Sequence, residues 1–465
     1  SNAAWNHPVL YQRTRAAARS GRRVVVIDPR RTATAELADL HLQIRPGSDI
    51  ALFNGLLVWL AQTRTVDQHW IRFNSVGFEK ALAMARQDVP TVARVAEVCD
   101  LPEQAITTFY RWFAETPRTV TAFSQGVNQS VAGTDKANAI INCHLATGRI
   151  GLPGASAFSL TGQPNAMGGR EVGGLANTLA AHMDYDTPGA RAAIAEFWKT
   201  DRLAEGPGYK AVEMFEAIRR GEIRVLWIMG TNPAVSLPYS DRVREAIRRC
   251  PVVIVSDCVS QTDSIALADI FLPALGWGQK DGTVTNSERC ISRQKAFLPA
   301  RGARADWQLL AETGRRLGYG NAFDWPSPAA VFREHAQLSG LNHAGPRRFD
   351  LSALAGITEG DYHQLAPIQW PVTPEHPTGC QRLFGDGRFS TPDRRARFVP
   401  VRTGAPALAL DSDHASAMVL NTGRIRDQWH TMTRTGRASR LTRHRPEPFI
   451  DIHPDDLCRL GAKEG

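Results

Sequence analysis

The sequence predicts an α/β protein: two open parallel-sheet units in succession, then the start of a β-rich segment. Three observations carry this. Short apolar, β-branched runs bounded by polar residues, such as Val24–Ile27 and Val252–Ser256, read as buried parallel strands. Helical patterns separate these runs, giving β–α–β order. Small, amide or acidic residues follow most strands, at the sheet edge where open α/β folds hold ligands.

The elements follow in order. Residues 5–20 read as a helix with Val9 and Leu10 on its apolar side. Val24–Ile27 is a strand, and Asp28 stands at its C-terminal end. An acid there suits ribose hydroxyls, and Arg30, Arg31 and Thr32 suit phosphate; a solvated loop is the alternative. Thr34–Leu40 reads as a short helix and His41–Arg45 as a strand. Pro46–Asp49 forms a turn whose Ser48 or Asp49 caps a helix over Ile50–Gln62, and such a helix start favours anions. Residues 67–116 are mostly helical. Thr119–Ser124 is a strand that runs into Gly126 and Asn128, and Ala137–Thr147 is a helix with Cys143 in its core face. Thr161–Gly174 is a glycine-dense loop carrying Gln163, Met167, Arg170 and Glu171. Glycine lets backbone approach a ligand closely. A structural turn, with Arg170 paired to Glu171, is the alternative.

The second unit repeats the pattern. Helix Tyr209–Arg220, strand Arg224–Gly230, loop Thr231–Ala234 and helix Asp241–Arg249 lead to strand Val252–Ser256, which ends in Asp257. Ser260–Asp263 opens another helix, and Asp269–Pro273 is the third strand. The repetition suggests a duplicated nucleotide-binding architecture. Neither unit contains G-x-G-x-x-G, so plain NAD binding is not supported. Residues 305–317 form a helix. From Asn321 to Pro406 proline and glycine rise, which reads as linking structure, with a β-hairpin over Leu383–Phe398. A strand at Met418–Asn421 then begins the β-rich part. The expected divisions are 1–175, 176–325, 326–405 and 406–465.

Composition narrows the class. The chain has 465 residues, 43% hydrophobic and 22% charged, as in ordinary globular enzymes. The net charge of +9 comes mainly from arginines spread singly, which suits anion pockets better than a nucleic-acid tail. No apolar run reaches the ~18 residues of a membrane span. Seven cysteines at irregular spacing, without C-x-x-C, fit reduced thiols in the cytoplasm.

Taken in order, several short motifs are specific together: Val26–Thr32, Pro46–Asp49, Gly126–Gln129, Thr161–Gly174, Met229–Pro233, Asp281–Asn286 with Glu288 and Arg289, and Thr422–Arg424 with Trp429–Thr431. This set resembles the molybdopterin-guanine-dinucleotide oxidoreductases over nearly the whole chain. Arg426–Gly436 and the segment Ser1–Trp5 look most like assimilatory nitrate reductases.

The resemblance implies two Rossmann-like dinucleotide-binding α/β domains plus the beginning of a C-terminal β-barrel. It implies a bis-molybdopterin guanine dinucleotide carrying molybdenum. Asp28, Arg30, Thr32, Asp49, Gly126 and Asn128 would serve one dinucleotide; Gly230, Asn232, Ser256, Asp257, Thr262 and Asp281 the other. Thr422, Arg424, Trp429, His430 and Thr431 would meet pterin and diphosphate. Arg170 resembles the family's active-site arginine, with Thr161, Gln163, Met167 and Gly169 around it. The implied reaction is two-electron reduction of nitrate to nitrite by oxygen-atom transfer to molybdenum, fed by an electron-donor protein or reductase subunit. A formate dehydrogenase and a non-catalytic scaffold subunit are the alternatives on this fold. The family's four-iron four-sulfur segment and its metal ligand are expected upstream of Ser1, so the fragment alone is expected to be inactive. No protein-derived metal ligand is expected within this chain.

Overall fold

The computed structural model describes residues 2–341, 346–404, 418, 422–423 and 425–463. Among them the strands are β1 Val25–Ile27, β2 Leu40–Leu42, β3 Ser75–Val76, β4 Val120–Phe123, β5 Ser156–Ser159, β6 Val225–Met229, β7 Val252–Asp257, β8 Ile270–Pro273, β9 Gly282–Thr285, β10 Cys290–Gln294, β11 Ile368–Gln369 and β12 Ala396–Arg397. The fold is mixed α/β, with no closed barrel among the described residues. The chain divides into two compact units: Ser1–Gly208 with Asp281–Lys295 and Trp325–Val419, and Tyr209–Lys280 with Ala296–Asp324 and Leu420–Gly465.

The first unit is organised around helix Asp49–Gln62. It is apolar on nearly every face, and Leu52, Leu56 and Leu60 are fully buried. A helix apolar all round must be wrapped. Helices Phe78–Asp88, Val92–Cys99, Glu103–Glu115 and Gly133–Ala146 pack around it. Cys143 is buried there, with its thiol pushed up by desolvation, so it is a core residue as expected. The parallel pairs β1–β2 and β4–β5 are short and separate. The expected helix at Thr34–Leu40 is only a 3-10 turn, Ala35–Leu37, because β2 starts at Leu40.

Gly55 marks the closest approach in this core. A Cβ there would lie 2.4 Å from Val95 Cγ2 and 2.6 Å from the Tyr110 hydroxyl, which itself donates to Leu52 O. Glycine to alanine in a helix interior normally gains about 1 kcal/mol. Overpacking costs about 1–3 kcal/mol, and the displaced hydrogen bond about 1 more. Gly55→Ala is therefore expected to lower the melting temperature; an unchanged or raised value would refute this account of the core.

The region expected to be linking structure contains a twelve-residue helix, Pro328–Ser339. Ser327 caps it by accepting from Ala330 N–H, and Pro328 occupies its first turn. It packs with Leu179, Met183, Ile194, Phe349, Tyr362 and Trp370 into a second core of the same unit. The expected hairpin over Leu383–Phe398 does not form. Phe384, Gly387 and Arg394 all have positive φ, which breaks extended structure, and β12 pairs in parallel with β3 instead. β9, β10 and β11 form an antiparallel sheet.

The second unit holds the parallel sheet β6–β7–β8. Leu226, Ile228, Val253 and Val255 point into a core with Phe215, Ile218, Val243 and Ile247 from helices Ala211–Arg219 and Ser240–Arg249. The helix expected after Ser260–Asp263 is a 3-10 turn, Ile265–Leu267. This strand-loop-turn-strand segment repeats one in the first unit, with two side-chain hydrogen bonds in common. Asp39 accepts from Val24 N–H at 2.7 Å, and Asp269 from Val253 N–H at 2.7 Å. Asp28 accepts from Arg30 N–H, and Asp257 from Val259 N–H. Of the strand expected at Met418–Asn421, residues 419–421 lie outside the described residues. No helix among the described residues is long and apolar enough to cross a membrane.

Candidate active site

The glycine-dense loop folds into a six-residue helix, Ala166–Glu171, flanked by turns. Adjacent residues of a helix project about 100° apart, so Arg170 and Glu171 face different surroundings. Arg170 is exposed and makes no salt bridge among the described residues. Glu171 is buried, and its carboxylate accepts from Trp370 Nε1–H at 2.7 Å and from Thr285 Oγ1–H at 2.8 Å. The two are not an ion pair. Burial pushes the Glu171 carboxyl up to about 7, against the hydrogen bonds from Thr285 and Trp370 that favour its charged form.

The glycines separate into two kinds. A Cβ on Gly168 would collide with the Asn165 side chain, on Gly173 with the Leu179–Ala180 backbone, and on Gly174 with Gly169 O. Those three are needed by the loop itself. Gly169, beside Arg170, has open space where a Cβ would stand. Thr161 Oγ1 donates to Gln163 O, and Thr161 O is in hydrogen-bond contact with His7 Nε2 at 3.1 Å. Gln163 is exposed, whereas Met167 packs against the second core. The loop therefore presents a guanidinium, an amide and open backbone from one short segment. Behind it lies His182, whose pKa is lowered by burial first and then by the charges of Arg347 and Arg170.

The nucleotide candidates of the first unit lie at strand ends. Asp28 follows β1, with Arg30 exposed beside it. Thr32 is buried, and its Oγ1 has no hydrogen-bond partner among the described residues. Asp49 begins helix Asp49–Gln62 and pairs with buried Lys136 at 2.6 Å. Gly126 is open at its Cβ position, and Asn128 donates to Ser159 Oγ. Asp281 also belongs to this unit. It pairs with buried Arg293 at 2.7 Å, and the guanidinium lies over the Tyr362 ring.

In the second unit, Gly230 takes φ +61 at the end of β6 with open space at its Cβ position. Asn232 is buried, and its Oδ1 accepts from Ser264 N–H and Oγ–H at 3.1 and 2.7 Å. Ser256 is fully buried and accepts from Trp227 Nε1–H; Asp257 and Thr262 hold local turns through Val259 and Ile265 N–H. Trp429 and His430 are exposed with ring centroids 4.5 Å apart, and Thr431 has φ +52. Thr422 is exposed, and Arg424 lies outside the described residues. Neighbouring Gln428 is buried with Oε1 unpartnered among the described residues. In the first unit the unpartnered Thr32 oxygen and the open Cβ positions at Gly126 and Gly169, and in the second unit the unpartnered Gln428 oxygen and the open Cβ position at Gly230, are each of a kind that suits a polar ligand. Asn232→Ala would leave the buried Ser264 donors without their acceptor. A loss of about 1–3 kcal/mol is expected, read as a lower melting temperature, and an unchanged melt would contradict this staple.

Sequence reasoning passed over Lys136, Thr285, Arg293 and Trp370. Lys136, Thr285 and Trp370 act on partners distant in the chain; Thr285 lies inside the motif Asp281–Asn286, but nothing local gives its role, and Arg293 meets Asp281 across the β9–β10 pairing. Glu171 was visible only as the neighbour of Arg170.

The chain belongs to the molybdopterin oxidoreductase family, whose model matches residues 1–316, while a molydopterin dinucleotide binding domain matches residues 418–465. Among curated relatives, a nitrate reductase of Klebsiella oxytoca is 50% identical over 468 residues, covering 100% of this chain and 52% of the relative. An F420-dependent formate dehydrogenase subunit alpha of Methanocaldococcus jannaschii is 32% identical over 468 residues, covering 100% of this chain and 66% of its own length. The chain thus spans about half the length of the nitrate reductase it matches. The fold is similar to acetylene hydratase from Pelobacter acetylenicus, with a TM-score of 0.70, 15% identity, and coverage of 98% of this chain and 64% of that one.

Proposed function

We propose that this chain is part of a molybdenum-dependent nitrate reductase, and that Arg170 holds the nitrate. The observation that carries the proposal is the exposed Arg170 guanidinium on a helix anchored from behind by buried Glu171, with Gly169 leaving room beside it. Nitrate is a planar, weakly basic anion. A guanidinium matches it by charge and by a planar fork, and it has no proton to lose at neutral pH. Gln163 would add a neutral donor, and Thr161 and Met167 would fix the loop around it. When bound, a bis-molybdopterin guanine dinucleotide would supply the two-electron oxygen-atom-transfer chemistry.

In this reading two Rossmann-like units each take one guanine dinucleotide. Asp28, Arg30, Thr32, Asp49, Gly126 and Asn128 would serve the first, and Gly230, Asn232, Ser256, Asp257 and Thr262 the second, whereas Asp281, expected with the second set, falls in the first unit. Because Asn232, Ser256 and Asp281 have their side chains engaged within the protein, they would act by shaping the loops. Thr422, Arg424, Trp429, His430 and Thr431 would meet pterin and diphosphate at the start of a β-barrel. An iron–sulfur cluster and the metal ligand would come from sequence outside this chain, and electrons from a donor protein in the cytoplasm. The isolated 465-residue chain would be inactive.

Formate oxidation is the second reading, supported by the 32% identity to a protein named formate dehydrogenase. Assaying the full-length enzyme with nitrate and with formate under matched conditions separates the two. A higher kcat/KM for nitrate is expected; formate turnover with nitrate ignored would overturn the first reading.

A further inference from the structure

Helix Ala166–Glu171 has six residues, too few to hold its direction alone. Its orientation comes from tertiary ties, and two of them converge on one residue. Thr285, the last residue of β9, is buried at 3% exposure. Its backbone N–H donates to Asn165 Oδ1 at 2.8 Å, at the N-terminal end of the helix. Its hydroxyl donates to Glu171 Oε2 at 2.8 Å, at the C-terminal end. Antiparallel pairing with Ile291, itself buried in the second core, fixes Thr285 in turn.

We propose that Thr285 is the positioning residue of the anion site: its amide and hydroxyl fix both ends of the helix that presents Arg170. The inference rests on Arg170 as the anion-holding group. Loss of the hydroxyl leaves the C-terminal end, where Arg170 sits, held among the described residues only by Trp370 Nε1–H on Glu171 Oε1 and Ala181 N–H on Glu171 O, and leaves the amide tie intact. Arg170 is then aimed correctly only part of the time, and apparent affinity falls by that fraction.

The test uses the full-length enzyme with Thr285→Val, which keeps the shape and the N–H, and Thr285→Ser, which keeps the hydroxyl. Hydrogen exchange of the amides in residues 165–174 is measured with no substrate present. For Thr285→Val these amides should exchange about tenfold faster, and KM for nitrate should rise about tenfold with kcat changed far less. Molybdenum and guanine nucleotide content should match wild type, and Thr285→Ser should restore exchange and KM. Asn165→Ala, at an exposed position, cuts the other tie and should shift both readouts the same way. Wild-type exchange and KM in Thr285→Val would overturn the proposal. Failure of Thr285→Ser to rescue, or loss of cofactor from Thr285→Val, would also overturn it. Should Arg170→Ala reduce nitrate normally, the functional reading fails, while the exchange data still decide whether Thr285 fixes the helix.

Discussion

Arg170→Ala in the full-length enzyme is expected to keep molybdenum and guanine nucleotide at wild-type levels and to lose nitrate turnover by about 10²–10³-fold or more. The size follows from the interaction removed. A guanidinium on an anion makes charge-assisted hydrogen bonds, each worth about 1.5–3 kcal/mol, and the paired fork adds geometric selection. Stability should change by no more than about 0.5 kcal/mol, because the side chain is exposed and unpaired among the described residues. Arg170→Lys keeps the charge but replaces the fork with a point charge, so it should fall between the two. Steady-state kinetics with metal analysis on the same samples check this. Loss of the cofactor from Arg170→Ala would make the residue structural.

Glu171 has the largest expected effect on stability. Glu171→Ala removes the acceptor for Trp370 Nε1–H and Thr285 Oγ1–H and opens a cavity beside the second core. Together these should cost about 2–4 kcal/mol. Its titration has a defined sign. The folded carboxyl ionises near 7 against 4.5 for its ordinary value, with burial as the first cause. Between these pH values the folded state binds the extra proton, so stability is fully present below 4.5 and declines as pH rises through about 7. The loss amounts to about 3 kcal/mol. Glu171→Gln keeps a neutral acceptor and should remove this slope. Thermal melts of wild type and Glu171→Gln across that window are the check; a parallel pH dependence in both would contradict the assignment.

Much of the fold is legible in the sequence where structure is local. Val24–Ile27 and Val252–Ser256 announce their strands by composition, and the acids that follow them, Asp28 and Asp257, hold corresponding turns. The same locality explains the failures. Ala396–Arg397 looks like half a hairpin, but its partner is Ser75–Val76, more than three hundred residues earlier. The helix Pro328–Ser339 carries its own start signals at Ser327 and Pro328, yet the prolines and glycines around it mask them. At the candidate site, Arg170 is legible because its residue type matches the chemistry. The anchor is not: Thr285 and Trp370 reach Glu171 across 114 and 199 residues. No periodicity encodes such meetings.

The most direct test of the central claim is one preparation of the full-length enzyme, assayed for molybdenum, released guanine nucleotide and viologen-driven nitrate reduction. The expected result is two guanine nucleotides per molybdenum together with formation of nitrite. A protein that carries the same cofactor but oxidises formate and leaves nitrate untouched would contradict it.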